Sequence, residues 1–423
     1  MIPAIVLFAL TYVLMLIFSK YRPYIALASG ALFVLTGMLP LTGVIGSIDW
    51  NVILMIAGTM GLVALFVESK MPALLADLIM ERVPNVMWAA VSLSLFAGII
   101  SAFVDNVATV LMVAPIALAI CKKLNTNPVP IIIAIAVSSN LQGAATLIGD
   151  TTAIMLGSAL DMSFLEFFWY KGKPSIFFAV ELGAVLSALI LMVLFRKAKA
   201  PIERAAKRTE VTDLVPTVLL VGALVLLIAA SFLPEKPDVT NGVICCALLV
   251  VGLICTAVKK KSVSAVIAPL KEIDFTTIGI LLGLFLMIGG ITAQGVIDAA
   301  AKLLAQAGGG NLFLLYTIVV WGSVLLSAFI DNIPYVATMI PVLIGLSAEL
   351  GVDATPLLFG LLSGATLGGN CTPIGASANI TGIGILRKEG CEVKNSDFFR
   401  IGIPFTLAAI IPAYIYIWLV YGV

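Results

Sequence analysis

Two apolar segments of 36 residues, 86–121 and 312–347, each carry an Asp-Asn pair near the middle. A spanning helix needs about 20 mostly apolar residues, and each arm beside the pair supplies only about 15. Both segments are therefore expected to be re-entrant helical hairpins that enter and leave on one side. A full helix pair with a buried Asp-Asn turn is the plainer alternative. The two segments also match each other: SAFVDNVATVLMVAPI (101–116) aligns with SAFIDNIPYVATMIPV (327–342) at an offset of 226. LQGAATLIG (141–149) faces LGGNCTPIG (367–375) at the same offset, and IDWNVILMIAG (48–58) faces IDFTTIGILLG (273–283) at 225. Register held over three separate segments points to a duplicated unit.

The remaining apolar runs are 2–18, 23–39, 49–67, 129–160, 174–195, 214–232, 241–258, 274–292, 355–385 and 401–420. Two of them, 129–160 and 355–385, are too long for one plain helix and are interrupted by Gly and small polar residues. They read as broken helices. The chain thus divides into a first repeat (1–195), a basic linker (196–213) and a second repeat (214–423). Each repeat holds five spans, one hairpin and one broken helix. The fold class expected is an all-α polytopic membrane protein. The short segments 70–84 and 294–308 read as amphipathic surface helices.

Composition agrees. Hydrophobic residues make up 61% of the chain and charged residues 11%, with mean hydropathy +1.16. Soluble domains are roughly 25% charged, so a soluble enzyme and a disordered chain are excluded. Lys and Arg number 24 against 23 Asp and Glu, which leaves no basic field for nucleic acid. The chain has no His, which removes imidazole metal sites, Ser-His catalysis and histidine proton relays. Six cysteines form no CxxC pair and read as reduced thiols. The first apolar run lacks a basic leader and a small-residue cleavage site, so it reads as a retained span. With each run crossing once and 196–208 cytoplasmic, 20 of the 24 basic residues fall inside, as the positive-inside rule requires. Both termini are then external, in a cell (inner or plasma) membrane, and the two repeats have opposite orientation. Inverted repeats with interrupted helices mark secondary transporters, with the site near the midplane.

The candidate chemistry sits at the hairpin tips and the breaks. Asp105–Asn106 and Asp331–Asn332 are the tips. A charge at such depth costs several kcal/mol unless it faces protein or water. A cation ligand or proton carrier is expected, against the simpler role of capping a turn. The breaks read TLIGDTT (146–152) and TPIGASAN (372–379). Gly149 and Gly375 are expected to permit unwinding, which frees backbone groups. Asp150 aligns with Ala376, so one repeat alone keeps this acid; a cap on the following half-helix is its plainer reading. Thr151, Thr152, Ser377 and Asn379 offer neutral oxygens, and Thr109, Thr146, Asn370 and Thr372 complete the candidate set. Na⁺ is a possible occupant at Asp105, Asn106 and Asp150, and at Asp331, Asn332 and Asn379. Glu181 reads as structural and paired with a neighbour. Asp49 and Asp274, at helix starts, read as N-caps.

The motifs SAFVDNVATVLMVAP and LIGDTTAIMLGSAL, with SAFIDNIP and GGNCTPIGASANI, resemble the ion transporter superfamily over nearly the whole chain. They look closest to its arsenite-permease/NhaD-type branch, which includes the pink-eyed-dilution permeases and, more distantly, citrate and dicarboxylate carriers. The resemblance implies a dimer-forming scaffold, an elevator-like transport part, and an ion site at each tip with substrate between them. Carried over, the first site uses Asp105, Asn106, Gly149, Asp150 and Thr151. The second uses Asp331, Asn332, Gly375, Ser377 and Asn379. Two departures stand out. Thr151-Thr152-Ala153 replaces the Pro-Pro-Asn usual in the pink-eyed-dilution type, and Asp-Asn replaces the Ser-Asn-Thr tips of dicarboxylate carriers.

Two functions remain from the residues. One is a transporter of a small anion or oxyacid coupled to Na⁺ or H⁺. The other is a Na⁺/H⁺ antiporter, favoured by three deep carboxylates with no Lys or Arg expected near them. Three carboxylates repel a dianion unless cations or protons neutralise them first. No organic cofactor and no nucleic acid partner are expected. The expected partners are the bilayer, a small ion or anion and a second copy in a homodimer. No GxxxxGK[ST] loop is present, so ATP coupling by this chain alone is not expected; the arsenite-permease resemblance leaves room for a separate ATPase subunit.

Overall fold

The structure, a computed structural model, describes residues 1–202, 208–233 and 236–422. Residues 203–207 of the basic linker, 234–235 of the loop after 214–232, and Val423 lie outside the described residues.

Ten helices occupy the first half. They are α1 (Ile2–Ile17), α2 (Arg22–Leu35), the short α3 (Val44–Ser47), α4 (Trp50–Glu68), α5 (Met71–Met80), α6 (Val86–Ser101), α7 (Asn106–Lys123), α8 (Val129–Gly143), α9 (Thr151–Ala159) and α10 (Ile176–Phe195). The second half has the same order. It runs α11 (Val215–Ala230), α12 (Thr240–Lys260), α13 (Val263–Lys271), α14 (Phe275–Ala293), α15 (Val296–Gly308), α16 (Leu312–Ser327), α17 (Asn332–Leu350), α18 (Thr355–Gly368), α19 (Ser377–Lys388) and α20 (Asn395–Tyr421). The only sheet among the described residues is a ribbon of β1 (Trp169–Tyr170) and β2 (Lys173–Pro174). Its two turn residues, Lys171 and Gly172, both take positive φ, as a tight hairpin turn demands.

Local chemistry sets the helix starts. Proline stands in the first turn of α1, α2, α5, α8, α11 and α18, where its missing N–H costs nothing. Asp49 and Asp274 cap α4 and α14 by accepting from Val52 N and Thr277 N, as the sequence suggested. Among the described residues, seven helices are long and apolar enough to cross a membrane: α4, α7, α10, α12, α14, α17 and α20. Two expectations about length change. The second arms of the hairpins reach 18 and 19 residues, because the helix continues past Pro115 and Pro341 to Lys123 and Leu350. Conversely, the run 23–39 supplies only the 14 residues of α2, since Gly37 turns left-handed at φ 72° and ends it. Helix α15 lies outside the span set and meets α16 at a 114° bend.

Packing crosses between the halves. Helix α4 lies on α12, and α14 lies on α2. A Cβ at Gly58 would fall 2.6 Å from Cys245, and one at Gly283 would fall 2.3 Å from Ala26. Backbones meet there because no side chain intervenes. Elsewhere α6 packs on α8 and α16 on α18, and every residue of α18 is buried. The half-helices then cross over: α9 contacts α17, and α19 contacts α7. This exchange brings both hairpin tips and both breaks to one place.

Candidate functional site

A cavity of about 610 Å³ lies where the two tips meet the breaks. It is lined by Asp105, Asn106, Asp150, Thr151, Asp331, Asn332 and Ser377, and on its other side by α4 (Met60 to Glu68), the end of α13, and Glu272, Asp274 and Thr277. Seven of the fifteen candidate residues therefore share one chamber. Six carboxylates border it (Glu68, Asp105, Asp150, Glu272, Asp274 and Asp331), and no Lys or Arg is among its lining residues. Glu68, Glu272 and Asp274 are the exposed members, and Asp150 is buried.

Each tip Asp caps its own helix. Asp105 Oδ2 accepts from Val107 N at 3.0 Å and Ala108 N at 3.1 Å. Asp331 Oδ1 accepts from Ile333 N at 3.2 Å. Asp150 stands at the cap position of α9, yet its side chain makes no cap bond. It accepts instead from Thr152 Oγ1 at 2.6 Å, so the capping account of this acid fails. Helix α19 starts at Ser377 after Ala376, again with no side-chain cap. Two half-helix N-termini thus face the cavity uncapped, while both hairpin N-termini are capped by carboxylates.

The expectation that no basic residue approaches the three acids is corrected. Arg22 Nη1 lies 3.4 Å from Asp331 Oδ2, and its Nε donates to Met15 O at 3.1 Å. The two charges are 309 positions apart; α14 packs on both α2 and α17, the helices whose starts carry Arg22 and Asp331.

The other candidates build the walls. Thr146 Oγ1 donates to Ala102 O and Thr372 Oγ1 to Ala328 O, so each pins its break to the end of a hairpin arm. Thr109 is fully buried, and its hydroxyl reaches Val104 O at 3.5 Å. Gly149 and Gly375 do not take positive φ; the positive-φ glycines lie elsewhere. Closeness is what requires them. A Cβ on Gly149 would stand 2.6 Å from Gly143 O and 2.7 Å from Ser101 O; on Gly375, 2.6 Å from Gly369 O and 2.8 Å from Ser327 O. Asn379 Nδ2 donates to Gly369 O and Thr372 O, each at 3.0 Å, and its buried Oδ1 has no partner among the described residues.

Behind the cavity runs a buried amide chain that the sequence did not reveal. Asn106 Nδ2 donates to Asn140 Oδ1 at 3.1 Å. Asn140 Nδ2 donates to Thr366 O at 2.7 Å and Asn370 Oδ1 at 3.0 Å, and Asn370 Nδ2 donates to Val137 O at 2.9 Å. Thr152 Oγ1 also lies 3.2 Å from Thr366 Oγ1. Asn140 matches Thr366 at the 226 offset, which is the signal in the sequence that points to it. Glu181 is paired as expected: Gln142 Nε2 donates to both its oxygens at 2.9 Å. At the far end of α4, Ser158 Oγ donates to Asp49 Oδ2 and ties α9 to that helix start.

Comparison with known proteins places this geometry. The citrate transporter family, CitMHS, matches residues 12–262 and 246–423. An uncharacterized transporter of Mycobacterium tuberculosis is 30% identical, over 99% of this chain and 98% of its own length. The 46 kDa membrane protein of Mycobacterium leprae is likewise 30% identical, with 99% and 98% covered. The human P protein is 27% identical over 90% of this chain and 55% of its own, in line with the pink-eyed-dilution relationship read from the motifs. The arsenite-permease/NhaD-type leaning rests on the motifs alone. Among solved structures, the YdaH transporter of Alcanivorax borkumensis aligns with TM-score 0.61 at 13% identity, covering 89% of this chain and 87% of that one. MtrF of Neisseria gonorrhoeae, from a class of antimetabolite efflux pumps, aligns at 0.56 and 14%, covering 97% and 84%; at such identity both speak to fold only. The protein is a multi-pass membrane transporter of a small solute, not an enzyme, and it belongs to the CitMHS citrate transporter family.

Proposed function

We propose that this chain is a secondary transporter that carries a small carboxylate or oxyacid anion together with Na⁺ or H⁺. One observation carries the reading: in a single cavity, carboxylates and uncapped half-helix N-termini face the same space. Helix N-termini attract anions. Carboxylates attract cations, and two like charges 4 Å apart near a protein surface repel by about 4 kcal/mol. An anion therefore enters once cations or protons have neutralised Asp105, Asp150 and Asp331. Thr151 and Ser377, at the half-helix starts, are the anion's ligands. Cations bind at Asp105, Asn106 and Asp150, and at Asp331, Asn332 and Asn379, whose free Oδ1 suits a hard cation. The family name and its citrate description support a carboxylate.

In this reading the halves are inverted repeats. The tight pairs α2/α14 and α4/α12 form the scaffold, and the hairpins with α8, α9, α18 and α19 move as an elevator core. Two copies joined through the scaffold make the working unit in the cell membrane, with both termini external.

A second reading, the Na⁺/H⁺ antiporter, draws on the cavity lining, which is rich in acids and free of Lys and Arg. Purified protein in liposomes with a trapped pH dye separates the two. A citrate pulse under an imposed Na⁺ or H⁺ gradient is expected to give uptake that requires the gradient. Proton flux driven by Na⁺ alone, without any anion, would establish the antiporter instead, and silence in both assays would overturn the coupling reading.

A further inference from the structure

The two tips are built alike but are not neutralised alike. Asp105 accepts, among the described residues, only from amides of its own helix. Asp331 also meets Arg22. That guanidinium is anchored on Met15 O, and the same hairpin is gripped by α1, where Tyr12 Oη donates to Pro334 O at 2.7 Å and bonds Thr338. Arg22 stands at the start of α2, which packs on α14, so it belongs to the proposed scaffold. Asp331 belongs to the proposed moving core. The matching frame position is not basic. Gly283 rests on Ala26 and Gly58 on Cys245; four residues before each contact stand Arg22 and Asn241.

We infer that Arg22 is a tethered counter-ion for Asp331: it takes the place of the coupling cation at the second tip while this cavity stands open. The inference rests on the moving-core reading above. A bare carboxylate facing protein is costly, and a positive charge beside the empty second tip offsets that cost. Arg22 supplies one only where Asp331 has come alongside the scaffold. In this state it competes with an incoming cation and favours release. Once the core moves away, the pair parts and Asp331 regains its affinity. Asn241, at the frame position facing the other half, offers no such charge, so the device acts in one direction. A ligand-free carrier is thereby biased toward the conformation seen here, since binding differences between states set their populations.

The test reads the open cavity directly. Leu111 lines it and is half exposed. Detergent-purified L111C protein is labelled with a maleimide in sodium-free choline buffer, and labelling of the native cysteines is subtracted using the parent protein. R22Q is expected to slow labelling of Cys at 111 by about two- to fivefold, the range open to a part-exposed ion pair. R22K should keep the wild-type rate. In a D331N background R22Q should add nothing, because the partner charge is already gone. An unchanged rate in R22Q, or an equal slowing with and without Asp331, overturns the inference. Should R22Q aggregate on size exclusion, D331N alone decides: slowing supports the pair and an unchanged rate refutes it. Liposome flux of the wild-type protein is scored separately, so a protein without flux but with the coupling intact counts against the transport reading alone.

Discussion

The first and second tips share one backbone plan and differ in charge. At the first, Asp105 lines the cavity with Asp150, and neither has a basic partner among the described residues. At the second, Ala376 stands where the first has Asp150, Asn379 stands where the first has Ala153, and Arg22 leans on Asp331. The geometry is matched: threonine pins, close-fitting glycines and Asp caps recur at equal places. The difference lies in charge. The first tip has no internal cation among the described residues, whereas the second has one in Arg22 and a neutral amide oxygen to spare in Asn379.

The largest expected effect comes from erasing that difference. Asp150→Asn should weaken apparent coupling-ion affinity by about 10- to 100-fold, the scale of a lost charge-assisted contact, measured as ion dependence of uptake in liposomes. Adding Ala376→Asp to it moves the acid to the other half. Recovery of coupling would show that only the number of charges matters; continued loss would show that the first tip is special.

A next, smaller effect probes what the tips share. Gly149→Ala and Gly375→Ala each force a methyl to within 2.6 Å of a carbonyl oxygen. Both should destabilise by about 1–3 kcal/mol, the usual cost of overpacking, and to similar extents in thermal unfolding. A marked inequality would break the claim of equal backbone plans.

The smallest concerns a tie between the halves far from the tips. Lys171 Nζ reaches Asp353 Oδ2 at 2.8 Å, with both side chains about half exposed. Burial opposes the charge of Asp353, but the bond from Lys171 and those from the Thr355 amide and hydroxyl prevail, so its carboxyl is held below the usual range. A depressed carboxylate contributes stability above its unfolded pKa of about 3.9 and loses it as pH falls through the folded value. Lys171→Met should therefore cost at most ~0.5 kcal/mol at neutral pH. The gap to wild type in a melting series should close in acid.

Much of this was readable before any coordinates, and the reason is locality. The tips, the breaks and the caps at Asp49 and Asp274 are carried by short motifs whose chemistry acts within a few residues. The pairing of Arg22 with Asp331 spans 309 positions and depends on α2 and α17 both packing on α14, which no local pattern encodes. Asn140 joins Asn106 to Asn370 over 34 and 230 positions, again beyond any local pattern. The hydroxyls of Thr146 and Thr372 donate to Ala102 O and Ala328 O, 44 positions away, contacts that no local pattern encodes. At the breaks, the carbonyl oxygens that crowd Gly149 and Gly375 come from other parts of the fold, so the closeness that requires glycine there is seen only once the chain is folded.

The contacts of Gly58 with Cys245 and of Gly283 with Ala26 have a consequence for natural variation. A change to a larger residue at either glycine has no flexible side chain to push aside, because backbone lies directly opposite. Such variants should reduce how much protein reaches the membrane while leaving each surviving copy fully competent. Variants at the tips should do the reverse, with normal abundance and idle copies. Quantifying surface amount beside uptake per molecule would sort an allele series into these two kinds of fault, and only the second would respond to a higher substrate concentration.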